Sequence, residues 1–282
     1  ILSGEFGRLL RVGYIGLWPR SLRYYRRNGW AGRLMLDNGY VVLDSCCGNA
    51  MSHHLHNVLF FAGSAPGHSW ARPARLEAEL YRANTIQGTD TVFARGTLEN
   101  DVEIRLVASH ACEVPQGEEI LTCEDAEIRI TIGGEWTILR DGKVVETHPA
   151  PTAALPDNFM NYANYVRGVE PRPQTLLEDC RAFVEVNALL YVAAGRIQTI
   201  PETDQRHLQL REDDDETVFV PNITAVCKRA IQEGSFPSEQ GLPWAAPGGS
   251  AMVDELSRLR SVLSDLAASQ AETRRRTLEE VE

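Results

Sequence analysis

The residues best suited to chemistry lie in the segment DSCCGNAMSHHLHN at positions 44–57. A predicted helix from Asn49 to Gly63 would place Asn49, His53 and His56 on one face, since they are four and three residues apart. Imidazole gives and takes protons near neutral pH, which is the usual work of a general acid or base. An asparagine one turn earlier could hold a substrate hydroxyl or the imidazole itself.

These histidines have two alternative interpretations. They could be structural, with their rings bonded to neighbouring carbonyl groups. They could also bind zinc, with His110 or Cys112 completing a site begun by His53 and His56. Zinc requires three or four converging ligands, however, and the helix spacing supplies two. We therefore expect no metal site.

A second segment, WPRSLRYYRRNGWAG at positions 18–32, interleaves arginines, tyrosines and asparagine. Planar guanidinium donors suit sugar and carboxylate oxygens, and aromatic faces suit a sugar ring, so a polyhydroxylated or anionic small molecule is expected. A surface loop with aromatic anchors would look similar. The candidate substrate-binding residues here are Arg20, Tyr25, Arg27 and Asn28.

These segments must be positioned by the regular elements around them. Residues 7–19 predict a strand, and residues 33–45 predict a hairpin-like pair that turns at Asp37-Asn38-Gly39. Between 76 and 148, seven short apolar stretches are mostly separated by turn residues, which is typical of an antiparallel meander. Helices are predicted at 49–63, 157–168, 175–195, 221–234 and, with a heptad-like leucine seam, 250–282.

This order predicts an α+β fold with an open, predominantly antiparallel β-sheet and helices packed on one face. Residues 1–248 are expected to form the main domain, and residues 249–282 a C-terminal helical tail. Residues such as Leu106-Val107-Ala108 and Ile138-Leu139 break the polar–apolar alternation. We therefore expect a second apolar sheet face and a homo-oligomer formed through it.

The composition excludes several classes of function. A net charge of −11 repels phosphate backbones, so nucleic acid is not an expected partner. No apolar run approaches the ~18 residues of a membrane span, and no secretory leader is visible. The six scattered cysteines form no CxxC motif, which favours reduced thiols and a cytoplasmic location.

The stretch Val12-Gly13-Tyr14-Ile15-Gly16 resembles the beginning of a dinucleotide-binding turn. It lacks the third glycine and continues into Trp18-Pro19 rather than into a helix, and no βαβ pattern follows. We therefore expect this chain alone to bind neither NAD nor NADP.

Longer runs carry a resemblance to a known family. The runs at 7–34 and 43–63 resemble the opening of the C-terminal domain of glucose–fructose oxidoreductase / inositol dehydrogenase (Gfo/Idh/MocA) proteins. The segments AELYRANTIQGTDT, NYANYVRGVEPRPQTLLEDCRAFVEV and PSEQGLPW follow in order, so that most of residues 4–245 is covered.

The resemblance implies a fold and an activity. In that family an N-terminal Rossmann domain binds NAD(P), and the second domain is an open, mainly antiparallel sheet that covers the active site and often mediates oligomerisation. His53 falls on the family's catalytic histidine, whereas Asn49 and His56 stand where the family usually has acids. The family's catalytic lysine belongs to the first domain and has no counterpart here.

The resemblance therefore implies the substrate-handling half of an NAD(P)-dependent oxidoreductase, inactive without its nucleotide-binding domain. It would act on a sugar- or cyclitol-like alcohol or carbonyl by hydride transfer, with His53 and Asn49 catalytic and His56 orienting the substrate. The alternative is a non-catalytic binding or oligomerisation module derived from the same family.

Overall fold

A ten-stranded mixed sheet forms the centre of the computed structural model, which describes residues 1–65, 67–150, 155–209 and 215–279. Nine strands lie in the order β12-β2-β3-β4-β1-β5-β6-β7-β8, and β9 pairs with β2. β10 and β11 form a separate pair. The strands are β1 Leu9–Leu17, β2 Pro73–Arg82, β3 Thr91–Leu98, β4 Glu103–Ser109, β5 Gln116–Cys123, β6 Glu127–Thr131, β7 Trp136–Arg140, β8 Lys143–His148, β9 Gln198–Thr199, β10 Arg206–Leu208, β11 Thr217–Phe219 and β12 Gly249–Met252.

The first strand occupies the middle of the sheet. All seven strands predicted between 76 and 148 are present as β2–β8, but β1 lies between β4 and β5 and divides the meander in two. β1 runs parallel to β4 and antiparallel to β5. Gly13 and Gly16 lie inside this strand, where a Cβ would collide with the Arg105 carbonyl and with Met51 respectively. These two glycines therefore allow close packing on both faces of β1.

Helices cover both faces of the sheet, so the α+β class with an open, mostly antiparallel sheet is confirmed but the restriction to one face is not. They are α1 Leu22–Arg26, α2 Ser52–Phe61, α3 Leu155–Val166, α4 Arg181–Ala194, α5 Ile223–Glu233 and α6 Leu259–Glu279. One face carries α2, α4 and α6 over a core that includes Leu55, Leu106 and Leu189. On the other face α5 packs against β1 and β4, over Ile15 and Val107.

The second apolar face therefore finds part of its cover within the chain. Val107 and Ile15 are both at most 2% exposed. In the stretch Leu106-Val107-Ala108, where the broken alternation predicts a subunit interface, α5 covers this face. The two most exposed apolar side chains of the sheet lie further out, Val144 and Val145 on the edge strand β8.

The segment predicted as a helical tail begins as part of the sheet. Gly249–Met252 forms β12, which pairs with β2, and α6 follows after a short 3-10 turn. Leu263 and Leu266 of the predicted leucine seam are buried in the core beside α4. The segment is thus packed on its own domain as far as Gln270, and residues 280–282 lie outside the described part of the chain.

The predicted helix 49–63 is interrupted near its start. Cys46–Ala50 form a single π turn, in which the Ser45 hydroxyl accepts a hydrogen bond from the Gly48 amide at 2.8 Å. Met51 then adopts non-helical angles (φ −111°, ψ 17°), and α2 begins at Ser52. Asn49 therefore does not belong to the same continuous helix as the histidines.

Two global features complete the description. None of the helices in the described residues is long and apolar enough to cross a membrane. The six cysteines are free thiols, and all except Cys180 are buried.

Candidate functional site

The predicted loop at 18–32 and the start of α2 meet at one end of the sheet, where β1 and β4 end. Because β1 and β4 are parallel, the residues that follow each of them emerge side by side. The Trp18 amide donates to the Ser109 carbonyl at 3.0 Å, and the Arg20 amide donates to the His110 carbonyl at 3.3 Å. Ligand sites commonly form beyond the carboxyl ends of parallel strands, since loops converge there.

Tyr24, on the short helix α1, is the residue around which the other polar side chains at this end of the sheet are grouped. The guanidinium carbon of Arg27 lies 3.7 Å from its ring centroid and that of Arg20 lies 4.8 Å from it. The Asn49 amide nitrogen lies 3.4 Å from the Tyr24 hydroxyl and donates to Asp44 Oδ1 at 2.7 Å. We call Arg20, Tyr24, Arg27 and Asn49 the Tyr24 cluster. It presents two cations, a carboxamide and a phenol to one region of the surface.

The Asp44 carboxylate fixes this cluster from below. Its side chain is 4% exposed, and its other oxygen accepts a hydrogen bond from the Gly32 amide at 2.5 Å. Gly32 has a positive φ of 71°, which this close approach of the loop requires. Asp44 thus ties the arginine loop to the π turn that carries Asn49.

A buried histidine supports the inner side of the loop. His110 is 1% exposed, and its Nδ1 lies 2.7 Å from the Trp18 carbonyl. That carbonyl can only accept, so Nδ1 carries the proton and Nε2 is an acceptor, which has no partner among the described residues. Burial, together with the positive charges of Arg20 and Arg27, lowers the pKa of His110 to about 3.

Tyr25 lies against this histidine rather than in solvent. The two rings are 6.5 Å apart, and the Tyr25 hydroxyl is buried without a partner in the described residues. Burial raises the pKa of Tyr25 well above its ordinary value. Both side chains are therefore neutral, and they form an uncharged floor beneath the Tyr24 cluster.

A histidine–carboxylate pair lies on the other side of Trp18. His54 Nδ1 is 2.6 Å from Glu119 Oε1, and Asn57 donates to the same oxygen at 3.0 Å. The His54 ring meets the Trp18 ring edge-on at 5.9 Å. A carboxylate bound to Nδ1 fixes the tautomer and orientation of the imidazole, as in catalytic and metal-binding histidines.

The sequence-based reasoning missed both members of this pair, although a signal existed for Glu119. Side chains alternate along a strand, so Glu119 shares a face with Leu121 and Cys123, which are buried in the core beneath α2. A carboxylate on a core-facing strand position requires a partner. Glu119 and the helix histidines could therefore have been paired before the structure was known.

The remaining predicted residues are distributed around the site. His53 is exposed on the first turn of α2, and its ring makes no hydrogen bond within the described part of the chain. The His56 ring lies tilted against the Trp70 ring with centroids 5.1 Å apart, and burial lowers the pKa of His56. Asn28 serves its own loop, since its Oδ1 accepts from the Trp30 and Ala31 amides.

The structure thus brings some of the predicted site residues together. Arg20, Arg27 and Asn49 meet around Tyr24, and Tyr25 lies beneath them, whereas His56 contacts a different aromatic residue. The predicted common face of Asn49 and His53 depends on a continuous helix, which the π turn interrupts. His53 remains near His56, whose pKa is lowered slightly further by the neighbouring imidazole.

Two predicted features concern a metal site and the Val12–Gly16 glycine stretch. Among them, no three His, Cys, Asp or Glu side chains converge in a possible metal site. The Val12–Gly16 stretch lies inside β1, where its backbone groups pair with β4 and β5. These residues do not fit a pyrophosphate group, which needs the free amides of a glycine turn at a helix N-terminus.

Comparison with known proteins identifies relatives of the fold. No family model matches the chain, and no curated protein matches it. The WlbA dehydrogenase from Bordetella pertussis, solved with NADH and UDP-GlcNAcA, superposes with a TM-score of 0.53 and 19% identity over 67% of this chain and 54% of that one. The Chromobacterium violaceum WlbA dehydrogenase, solved with the same two ligands, gives 0.51 and 16% over 67% and 53%.

A third solved structure is the UDP-N-acetylglucosamine 3-dehydrogenase GnnA from Acidithiobacillus ferrooxidans. It superposes with a TM-score of 0.50 and 17% identity over 67% of this chain and 55% of that one. The chain therefore spans about half the length of the solved structures it matches. At these identities the comparison shows a shared fold, and the proteins that share it are oxidoreductases.

Proposed function

We propose that this chain is the substrate-handling half of an NAD(P)-dependent oxidoreductase that acts on a sugar- or cyclitol-like alcohol or carbonyl. The observation that carries the proposal is the convergence of Arg20, Tyr24, Arg27 and Asn49 at the carboxyl ends of β1 and β4. The fold, shared with sugar dehydrogenases, supports it. NAD or NADP would be held mainly by a nucleotide-binding domain beyond these 282 residues.

His53 would exchange the proton on the reacting oxygen. Its ring is exposed and makes no hydrogen bond to the described residues, so a substrate hydroxyl can approach it. When bound, the nicotinamide supplies or accepts the hydride. Asn49 would donate to a substrate hydroxyl near the Tyr24 phenol, and His56, one turn along α2, would orient the substrate from its other side.

His54 would act as a positioning residue. Its hydrogen bond to Glu119 attaches the first turn of α2 to β5, and its ring packs against Trp18. Successive helix residues point about 100° apart, so fixing His54 toward the protein directs His53 outward. The orientation of the acid/base thus depends on a buried carboxylate that the substrate never touches.

The decisive experiment compares histidine variants of the full-length protein by NADH formation with sugar and polyol substrates. His53→Ala should lower kcat by roughly 10²–10⁴-fold, the usual loss for a general acid/base, and leave Tm unchanged because the side chain is exposed. His148→Ala, which removes a half-buried histidine at the end of β8, is the matched control and should turn over normally. A His53→Ala enzyme with wild-type kcat would refute the assignment.

The competing function is a non-catalytic binding or assembly module. It is favoured by Asn49 and His56, which stand where the family that the sequence resembles usually has acids. A full-length protein that binds NADH and sugar but shows no turnover, with or without His53, would support the module. Turnover that depends on His53 excludes it.

A further inference from the structure

Two arginines at the candidate site lack the acidic partners that other arginines of this chain possess. Nearby Arg26 bonds Asp215 at 3.3 Å, and many others form similar ion pairs. Arg20 and Arg27 instead donate to backbone carbonyls, those of Pro19 at 3.4 Å and Tyr24 at 2.6 Å. Within the described part of the chain, neither forms an ion pair with a carboxylate. Two such cations therefore lie side by side in a protein of net charge −11.

Among the described residues, no carboxylate forms an ion pair with these two cations. Both stack on the Tyr24 ring, so their charges are concentrated around one phenol. Asp44 is the acid beneath the cluster, but its two oxygens already accept from the Gly32 amide and from Asn49. The His110 imidazole below is neutral, and Arg20 Nε is buried without an acceptor. An anion bound beside the two arginines would balance their charge.

We propose that Arg20 and Arg27 bind an oxyanion carried by the substrate, which makes the substrate an acidic sugar rather than a neutral polyol. The inference rests on the proposed function and narrows its substrate class. Guanidinium groups bind carboxylate and phosphate through paired N–H donors, and stacking on an aromatic ring holds them in place. Asn49 and the Tyr24 phenol lie beside the arginines and would bind adjacent hydroxyl groups.

The oxyanion could be the carboxylate of a sugar acid or the phosphate of a sugar phosphate. Both are tested by NMR titration of the ¹⁵N-labelled 282-residue chain, observed at the arginine Nε–H resonances. The probes are D-glucuronate, D-galacturonate and glucose 6-phosphate, with glucose and galactose as neutral controls. At least one acidic sugar should bind about tenfold or more tightly than its neutral parent, the gain expected for hydrogen bonds to a charged group.

Variants then assign the effect to the two arginines. Arg20→Gln or Arg27→Gln should weaken acidic-sugar binding about tenfold more than neutral-sugar binding. Arg26→Gln is the matched control, because Arg26 lies next to Arg27, carries the same charge and is already paired with Asp215. It should change binding less than about twofold. The dispersion of each variant's spectrum verifies its fold.

The outcomes separate this inference from the proposed function. Equal binding of acidic and neutral sugars would overturn the oxyanion site and leave the sugar oxidoreductase standing. An equal loss in Arg26→Gln and Arg27→Gln would also overturn it, since the effect would then be nonspecific charge. Binding of none of the five sugars would contradict both. Added salt should weaken the binding of acidic sugars only.

Discussion

The buried His110 should make the stability of this protein depend on pH in a way that one substitution removes. His110→Asn replaces the ring with a side chain whose amide can still donate to the Trp18 carbonyl, as His110 Nδ1 does at 2.7 Å. The substitution keeps the hydrogen bond and removes the titration. The difference in unfolding free energy between the two proteins, measured at several pH values, therefore reports the effect of protonating His110.

The direction and the magnitude of this pH dependence follow from the lowered pKa of His110. The pKa of His110 is about 3 in the fold, mainly because of burial, and an unfolded histidine titrates near 6.5. Protons therefore bind the unfolded chain more tightly, so the stability is fully present above about pH 6.5 and is lost as the pH falls toward 3. From about pH 7 to about pH 5, wild type should lose about 2 kcal/mol of unfolding free energy through this residue.

The assay is urea unfolding followed by tryptophan fluorescence at about pH 7 and about pH 5. Wild type should lose about 2 kcal/mol more between these values than His110→Asn. His56, whose pKa is lowered, and Asp90, whose pKa is raised, both through burial, also contribute to the slope but are common to both proteins. Leu177→Ala, which removes an exposed side chain that does not titrate, should retain the wild-type slope. Identical slopes for wild type and His110→Asn would refute the reasoning.

Three further outcomes test the architecture. Leu263→Ala should lower the unfolding free energy by about 2–5 kcal/mol because this side chain of α6 is fully buried in the core, whereas Leu177→Ala, 93% exposed, should change it by less than about 0.5 kcal/mol. Glu119→Leu should cost about 1–3 kcal/mol, because it leaves its histidine and asparagine donors without an acceptor, and the more exposed Glu118→Leu serves as its control. Light scattering should show a dimer or tetramer formed through the sheet, and Val145→Lys on the edge strand β8 should reduce it to a monomer; a monomeric wild type would contradict sheet-mediated assembly.

The local pattern of the sequence was enough to determine most of the elements. Alternating apolar residues and intervening turns predicted each of the strands β2–β8, because strand periodicity and turn preference are properties of short stretches. The helices at 157–168, 175–195 and 221–234 were found for the same reason and correspond to α3, α4 and α5. The α+β class followed from their order. The arginine–tyrosine loop was identified from residue types alone, and the structure shows that Arg20 and Arg27 do gather around one aromatic ring.

The tertiary structure decided the features that depend on distant residues. The insertion of β1 between β4 and β5 joins residues about ninety or more positions apart, and no local pattern encodes such a pairing. The cover that α5 gives to Val107 and the pairing of His54 with Glu119, 65 residues away, are of the same kind. The π turn before α2 depends on Gly48 packing against the Leu43 carbonyl and the Asn187 amide. Spacing along a helix can place His53 and His54 one residue apart, but only the surrounding packing determines which imidazole faces a buried carboxylate and which faces the solvent, because burial and hydrogen bonding act between elements rather than along them.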